Sequence, residues 1–306
     1  MNEALGVLAA ILSSLIGGTT IVGTRMIVGD LDALTVATIR HTIGALCLAP
    51  VAIFAFTRAS QRRDLIFAGA LGLLFFGVFP WLFALSLVYT TAARGSLAMS
   101  TFPLSTLALA IVLRQEVFTW RRLIGILIAM GGLAYALSPK LAGDGVDVPD
   151  TALKGDLIMV FAVFLGSIYG VLARPYMRRV GPLPFTAVGL LAGAMLLILM
   201  AIVIGGARAI PQLSGQVWAT ITYLGIVGTA MLFWLWGVGI RYASPALVAL
   251  TVTANPLVAT ILGATMLGEP IGVEVLIGLT AVLVGIIVVS DVFGYLRTRL
   301  KAATPV

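Results

Sequence analysis

Few side chains in this 306-residue chain are equipped for chemistry, and most of those lie inside apolar runs. Arg40 and His41 stand side by side in "TVATIRHTIGAL". A guanidinium carries a planar fork of N–H donors that matches a carboxylate in two parallel bonds. His41, the single histidine, either bonds a ligand or is a hydrogen-bonded core residue. Trp81 and Trp234 offer flat apolar faces, while Thr20, Ser100, Tyr169 and Asn255 add hydroxyls and a carboxamide. Together these residue types suit the holding of a small amphipathic molecule. Bond-breaking chemistry fits poorly: there is no HExxH, no acidic cluster at metal-ligand spacing and no serine with a plausible histidine base. Neither enzyme activity, a metal nor a cofactor is expected. Carboxylates also avoid the middle of the apolar runs, so no buried acid is available as a proton or cation site.

The elements that must position these residues are membrane helices. The chain is 60% hydrophobic and only 10% charged, against about a quarter charged in soluble domains. Its partner is therefore the lipid bilayer. The net charge of +7 does not imply nucleic acid, because the basic residues sit in short clusters between apolar runs. Cys47 is the one cysteine, which excludes an intrachain disulfide. The opening "MNEALGVLAAILSSLIGG" carries Glu3 where a signal peptide is basic, so a retained first helix is expected. About 20 apolar residues cross the hydrocarbon. Ten stretches meet that length, at 4–24, 33–56, 65–87, 92–113, 121–138, 155–174, 183–205, 216–239, 245–267 and 272–292. With the N-terminus cytoplasmic, thirteen of the nineteen Lys and Arg fall on the cytoplasmic side and five outside, Arg40 lying within the second span. Both termini are thus expected in the cytoplasm.

The chain also repeats itself. "STFPLSTLALAIVLRQE" from Ser100 returns as "TANPLVATILGATMLGE" from Thr253, with Pro103 and Pro256, and Glu116 and Glu269, each 153 residues apart. Trp81 and Trp234, Tyr89 and Tyr242, Gly125 and Gly278, and Gly132 and Gly285 keep that offset. Nearer the front the offset is 149, linking Gly6 to Gly155, Gly17 to Gly166 and Arg25 to Arg174; a small insertion before the seventh span would reconcile the two. The expected organisation is a first repeat at 1–138, an outer-side linker at 139–154, a second repeat at 155–292 and a cytoplasmic tail at 293–306. Five spans is an odd number, so the second copy enters the membrane from the opposite side. Inverted repeats around a central site are how many transporters expose it to either face in turn.

Two five-span repeats with a "P…(G/Q)E…G…G" tail resemble the EamA type of the drug/metabolite transporter superfamily. The resemblance rests on "NPLVATILGATMLGEPIGVEVLIGLTAVLVG", "FPLSTLALAIVLRQEVFTWRRLIGILIAMGG" and "TVATIRHTIGAL", and covers nearly the whole chain. The first tail departs from the pattern, with "RQE" where the second has "LGE". Within the superfamily the chain looks most like the YddG-like exporters of aromatic and other amino acids. The resemblance implies an all-α, ten-helix carrier in the bacterial inner membrane, moving small metabolites outward, and functional as a monomer.

Individual residues then acquire expected roles. Pro103 and Pro256, inside the fourth and ninth spans, would free the carbonyls of Met99 and Val252 and mark hinges or gates, or only static kinks. Arg40 would anchor a carboxylate or snorkel to the headgroups. Trp81 and Trp234 would flank a flat or apolar substrate, whereas Tyr89 and Tyr242 suit the interface belt. "GSIYG" (166–170) and "GLLAG" (189–193) read as close-packing motifs. Glu116 and Glu269 would pair with nearby basic or backbone groups. An amino-acid exporter running down its solute's gradient fits this set. A multidrug exporter lacks its central acid, a phosphate or nucleotide-sugar exchanger lacks further deep cations, and an embedded enzyme or sensor remains the reading from another class.

Overall fold

The computed structural model describes residues 3–27, 31–57, 62–89, 98–136, 138, 151–204, 213–255, 257–258, 261–262, 265 and 273–290. Among them the protein is built from helices. They are α1 (Glu3–Arg25), α2 (Ala33–Thr57), α3 (Arg62–Gly72, a π segment Leu73–Val78, then Phe79–Tyr89), α4 (Phe102–Val112) and α5 (Trp120–Ala136). Beyond them come α6 (Ala152–Val180), α7 (Pro182–Ile204), α8 (Gly215–Gly225, a π segment Ile226–Met231, then Leu232–Tyr242), α9 (Pro245–Thr251, closing in the 3-10 turn Val252–Ala254) and α10 (Val273–Ser290). In hydrocarbon every backbone N–H and C=O must be satisfied within the chain, and helices do this segment by segment. Six of these helices are long and apolar enough to cross a membrane, with shorter apolar helices beside them. The side chains facing outward are themselves apolar, such as Leu46, Ile53, Ile202 and Val203, as a lipid-facing surface requires. The protein is an all-α polytopic membrane protein.

Helix boundaries carry the repeat more sharply than the sequence does. α1 and α6 begin 149 residues apart, as do α2 and α7. α3 and α8 match at 153 in every boundary, including both ends of their π segments, and α5 and α10 begin 153 apart. The offset therefore changes after α7, where 205–214 replaces the shorter 58–61, and not before it as the sequence suggested.

α5 and α10 show how the halves relate. A Cβ built on Gly125 would lie 2.9 Å from the Gly285 carbonyl oxygen, and one on Gly278 would lie 2.7 Å from that of Gly132. Gly125 thus meets Gly285 while Gly132 meets Gly278, so the two helices run antiparallel. Because Gly125 and Gly278 are equivalent, as are Gly132 and Gly285, the contact is its own mirror under a two-fold operation. Equivalent helices running in opposite directions mean inverted halves. Glycines let these backbones approach closely where hydrophobicity alone gives no drive to associate.

The remaining contacts interleave the halves. α1 packs on the second part of α8, and α6 on the second part of α3; α2 packs on α8, and α7 on α3. Each half is therefore completed by the other. One end of the bundle is also tied by polar contacts. Ser244 caps α9, accepting from the Leu247 N–H. The Glu116 carboxylate accepts from the Ala246 N–H at 3.1 Å and pairs with Arg122 at 3.0 Å. A carboxylate at a helix N-terminus is favoured by the dipole there. Gln115 Nε2 donates to the Val171 carbonyl at 3.0 Å, and Arg179 forms two 2.8 Å bonds to Asp64. Glu269 lies outside the described residues.

Candidate functional site

The two π segments aim unlike side chains at the interior. A π turn inserts one residue and rotates the remainder of the helix, exposing backbone carbonyls that an α-helix would hide. On α3 this brings Phe75 and Phe76 into the core. Phe75 stacks on Tyr169 of α6 at 4.5 Å and on Trp236 of α8 at 5.2 Å, with interplanar angles of 19° and 13°. Phe76 and Phe75 also meet Phe233 edge-on, at 4.9 and 5.6 Å. Phe102, at the start of α4, stacks on Trp236 at 6.4 Å. Such pairs contribute about 0.5–1.5 kcal/mol each beyond their burial. Three buried polar atoms in and against this cluster make no hydrogen bond: Tyr169 Oη, Trp236 Nε1 and Thr186 Oγ1.

On α8 the equivalent turn presents Gly228 and Thr229. Arg40 of α2 reaches across to it, donating from Nε to Thr229 Oγ1 at 2.7 Å and from Nη2 to the Gly228 carbonyl at 2.6 Å. The Thr229 hydroxyl in turn donates a hydrogen bond to the Leu224 carbonyl at 2.9 Å. No carboxylate among the described residues lies within ion-pair distance of Arg40. A guanidinium within a span costs on the order of 3 kcal/mol, and among the described residues neutral oxygens offset it. Thr20 packs against Gly228, and the Asn255 carboxamide lies over Gly17, its Oδ1 buried without a partner.

These two regions occupy equivalent places. Phe75 and Phe76 correspond to Gly228 and Thr229, Tyr169 to Thr20, and Phe102 to Asn255. The contacts correspond too: Gly166 abuts Phe102 as Gly17 abuts Asn255. Arg40 stands where the other half has Gly189, whose neighbour is Phe76. One scaffold, used twice in opposite senses, therefore carries an aromatic side and a polar, cationic side. His41 sits near the join: its Nδ1 bonds the Ala37 carbonyl at 2.8 Å, and its ring centroid lies 6.4 Å from that of Phe233.

The residues singled out in the sequence divide accordingly. Thr20, Arg40 and Asn255 lie on the polar side, Tyr169 on the aromatic side and His41 near the join. Thr20 also donates to the Gly17 carbonyl at 2.8 Å. Ser100 is buried in the turn ahead of α4. Trp81 is half-buried one turn beyond its π segment. Trp234 is not with the rings: it is 38% exposed, and Trp236 turns inward instead. Two residues along a helix is a rotation of about 200°, so the two indoles cannot share a face. Pro103 does not kink a continuous helix. It falls in the first turn of α4, after a break at Ser100 and Thr101, where its missing N–H removes no helical bond. α9 tightens to a 3-10 turn at the equivalent place; Pro256 lies outside the described residues. Sequence reasoning missed Phe75, Phe76, Thr186, Thr229 and Trp236 as site residues. The "GSIYG" and "GLLAG" motifs were signals for some of them, since their glycines seat Phe75, Phe102, Trp236 and Phe76.

Two cavities open at the ends of α6, of about 630 Å³ beside Leu82 and Lys154 and about 520 Å³ beside Arg63 and Tyr176. Neither is lined by the ring cluster.

Inverted helical halves around an unlike-sided interior define a membrane carrier, and comparison with known proteins agrees. The model of the EamA-like transporter family matches residues 4–138 and 153–291, and the chain belongs to that family. It is 24% identical over 282 residues to the uncharacterized transporter YyaM of Bacillus subtilis (strain 168), covering 91% of each chain. It is also 24% identical over 267 residues to a protein of Streptantibioticus cattleyicolor named "Probable terminal-alkyne amino-acid exporter", covering 87% of this chain and 86% of that one. A solved crystal structure superposes with a TM-score of 0.79 at 21% identity, covering 98% of this chain and 100% of the other, which shows the shared fold.

Proposed function

We propose that this transporter is a facilitative exporter of small amphipathic metabolites, above all amino acids including aromatic ones, in the bacterial inner membrane. The observation that carries the reading is Arg40, a deep cation bonded to neutral oxygens, together with the stacked rings that stand at the equivalent place in the other repeat. A zwitterion brings the carboxylate that Arg40 lacks and a side chain that the rings accept. Asn255 Oδ1, buried without a partner among the described residues, is an acceptor suited to its ammonium group. The two inverted repeats, 1–138 and 155–292 joined by an outer linker, would then rock about this site with both termini cytoplasmic. The amino-acid exporter named among the relatives supports the substrate class.

Proton coupling has little to work with. Glu116, the buried carboxylate of the described residues, lies at the end of the bundle and is engaged by Arg122 and the Ala246 N–H. Purified protein in liposomes is expected to take up labelled amino acids without an imposed pH gradient. Absence of flux for every amino acid tested, with drugs or sugar nucleotides moving instead, would overturn the substrate class; an absolute need for the gradient would overturn the facilitative mode.

A further inference from the structure

The aromatic side is not purely apolar, and its orphaned polar atoms are informative. Tyr169 is fully buried and so is Thr186, on the neighbouring helix α7. By geometry neither hydroxyl closes a hydrogen bond, with the other or with any further group among the described residues. Thr186 Oγ1 also faces the α8 backbone, 3.1 Å from where a Cβ on Gly237 would stand. The next residue back is Trp236, whose ring stacks on Tyr169 at 5.8 Å and whose Nε1 is likewise buried and unbonded. Leaving one such group unmade is costly and leaving three in one cluster is more so, because each forfeits its water without a replacement. An apolar substrate would leave that cost in place. Phenylalanine at 169 and valine at 186 would avoid it with almost the same shape.

We infer that the aromatic side reads a polar group at the far end of a flat substrate side chain, through the Tyr169 and Thr186 hydroxyls and the Trp236 N–H. This rests on the proposed two-sided binding site and narrows its substrates to side chains that are planar but polar-tipped. Hydroxyls both donate and accept, so the tip is a hydroxyl, carbonyl or ring nitrogen. A site built to bond such a group discriminates strongly against the analogue that lacks it.

The test measures binding to the full chain in lipid nanodiscs by calorimetry, with three ligand pairs that differ by one para-hydroxyl: phenylalanine and tyrosine, phenethylamine and tyramine, phenylacetate and 4-hydroxyphenylacetate. The wild type is expected to favour the hydroxylated member of at least one pair about fivefold or more, and Tyr169→Phe and Thr186→Val each to bring that ratio below about twofold. The ratio within each variant is the reading, so a general loss of affinity does not imitate the effect. A wild-type ratio near one in every pair, or no binding by any pair, overturns the inference. So does a ratio that survives both substitutions, which would leave the orphaned atoms serving a structural water only. If the amine or acid pair shows the ratio while neither amino acid binds, the inference stands and the amino-acid reading fails.

Discussion

The two sides of the interior are the same architecture with opposite chemistry. Around the α3 π segment, Phe75 stacks on Tyr169, with Phe76 edge-on and Phe102 joined through Trp236; around the α8 π segment, the equivalent Gly228 and Thr229 hold a guanidinium, with Thr20 and Asn255 in the places of Tyr169 and Phe102. Had the halves stayed alike, the site would suit a symmetric ligand, apolar throughout or charged throughout. In the proposed function, divergence at these few positions, with the backbone retained down to the ends of the π segments, gives the site one end for a carboxylate and one for a ring, while inversion would supply the moving parts.

Erasing the difference is expected to be most damaging. Thr229→Phe copies Phe76 onto the polar side, removes the acceptor of Arg40 Nε and overfills a packed position; liposome uptake of amino acids should fall by more than about 100-fold. Trp236→Ala attacks the other side. It removes the ring that stacks on Phe75, Tyr169 and Phe102, so uptake of phenylalanine should fall about 30-fold and that of alanine much less. Thr229→Val keeps the volume but loses the hydroxyl, leaving Arg40 held by Gly228 alone; about tenfold weaker substrate binding is expected in a competition assay. An equal loss of phenylalanine and alanine in Trp236→Ala would erase the distinction between the sides.

The sequence displayed the repeat through glycines and prolines because close helix contacts and helix breaks admit few residue types. Gly125, Gly132, Gly278 and Gly285 marked the repeat in the sequence, and the structure shows that they also form the α5–α10 contact. Arg40, Thr20, Tyr169 and Asn255 were legible as polar groups among apolar neighbours. The ring cluster was less so, since Phe and Trp in a membrane helix are ordinary. The π segments mattered more: one inserted residue rotates the rest of α8 by about 100°. A face counted at 3.6 residues per turn across that insertion is wrong beyond it, and no residue type announces the insertion. Trp234 was singled out as the repeat partner of Trp81, a register that does not say which of two nearby indoles turns inward; Trp236 does. The insertion was placed before α7 because no matched pair was read within α2 and α7: the last at 149 was Arg25 with Arg174, and the first at 153 was Trp81 with Trp234.

The central claim is that Arg40 takes the carboxylate while the rings take the side chain. Competition by phenylalanine and by phenethylamine, which lacks only the carboxylate, measures it directly in the wild type and in Arg40→Gln. The account predicts that the wild type favours phenylalanine by about 30-fold and that Arg40→Gln reduces this to about twofold or less, on the scale of a charged hydrogen-bond pair. A preference for phenylalanine that persists undiminished in Arg40→Gln would contradict it.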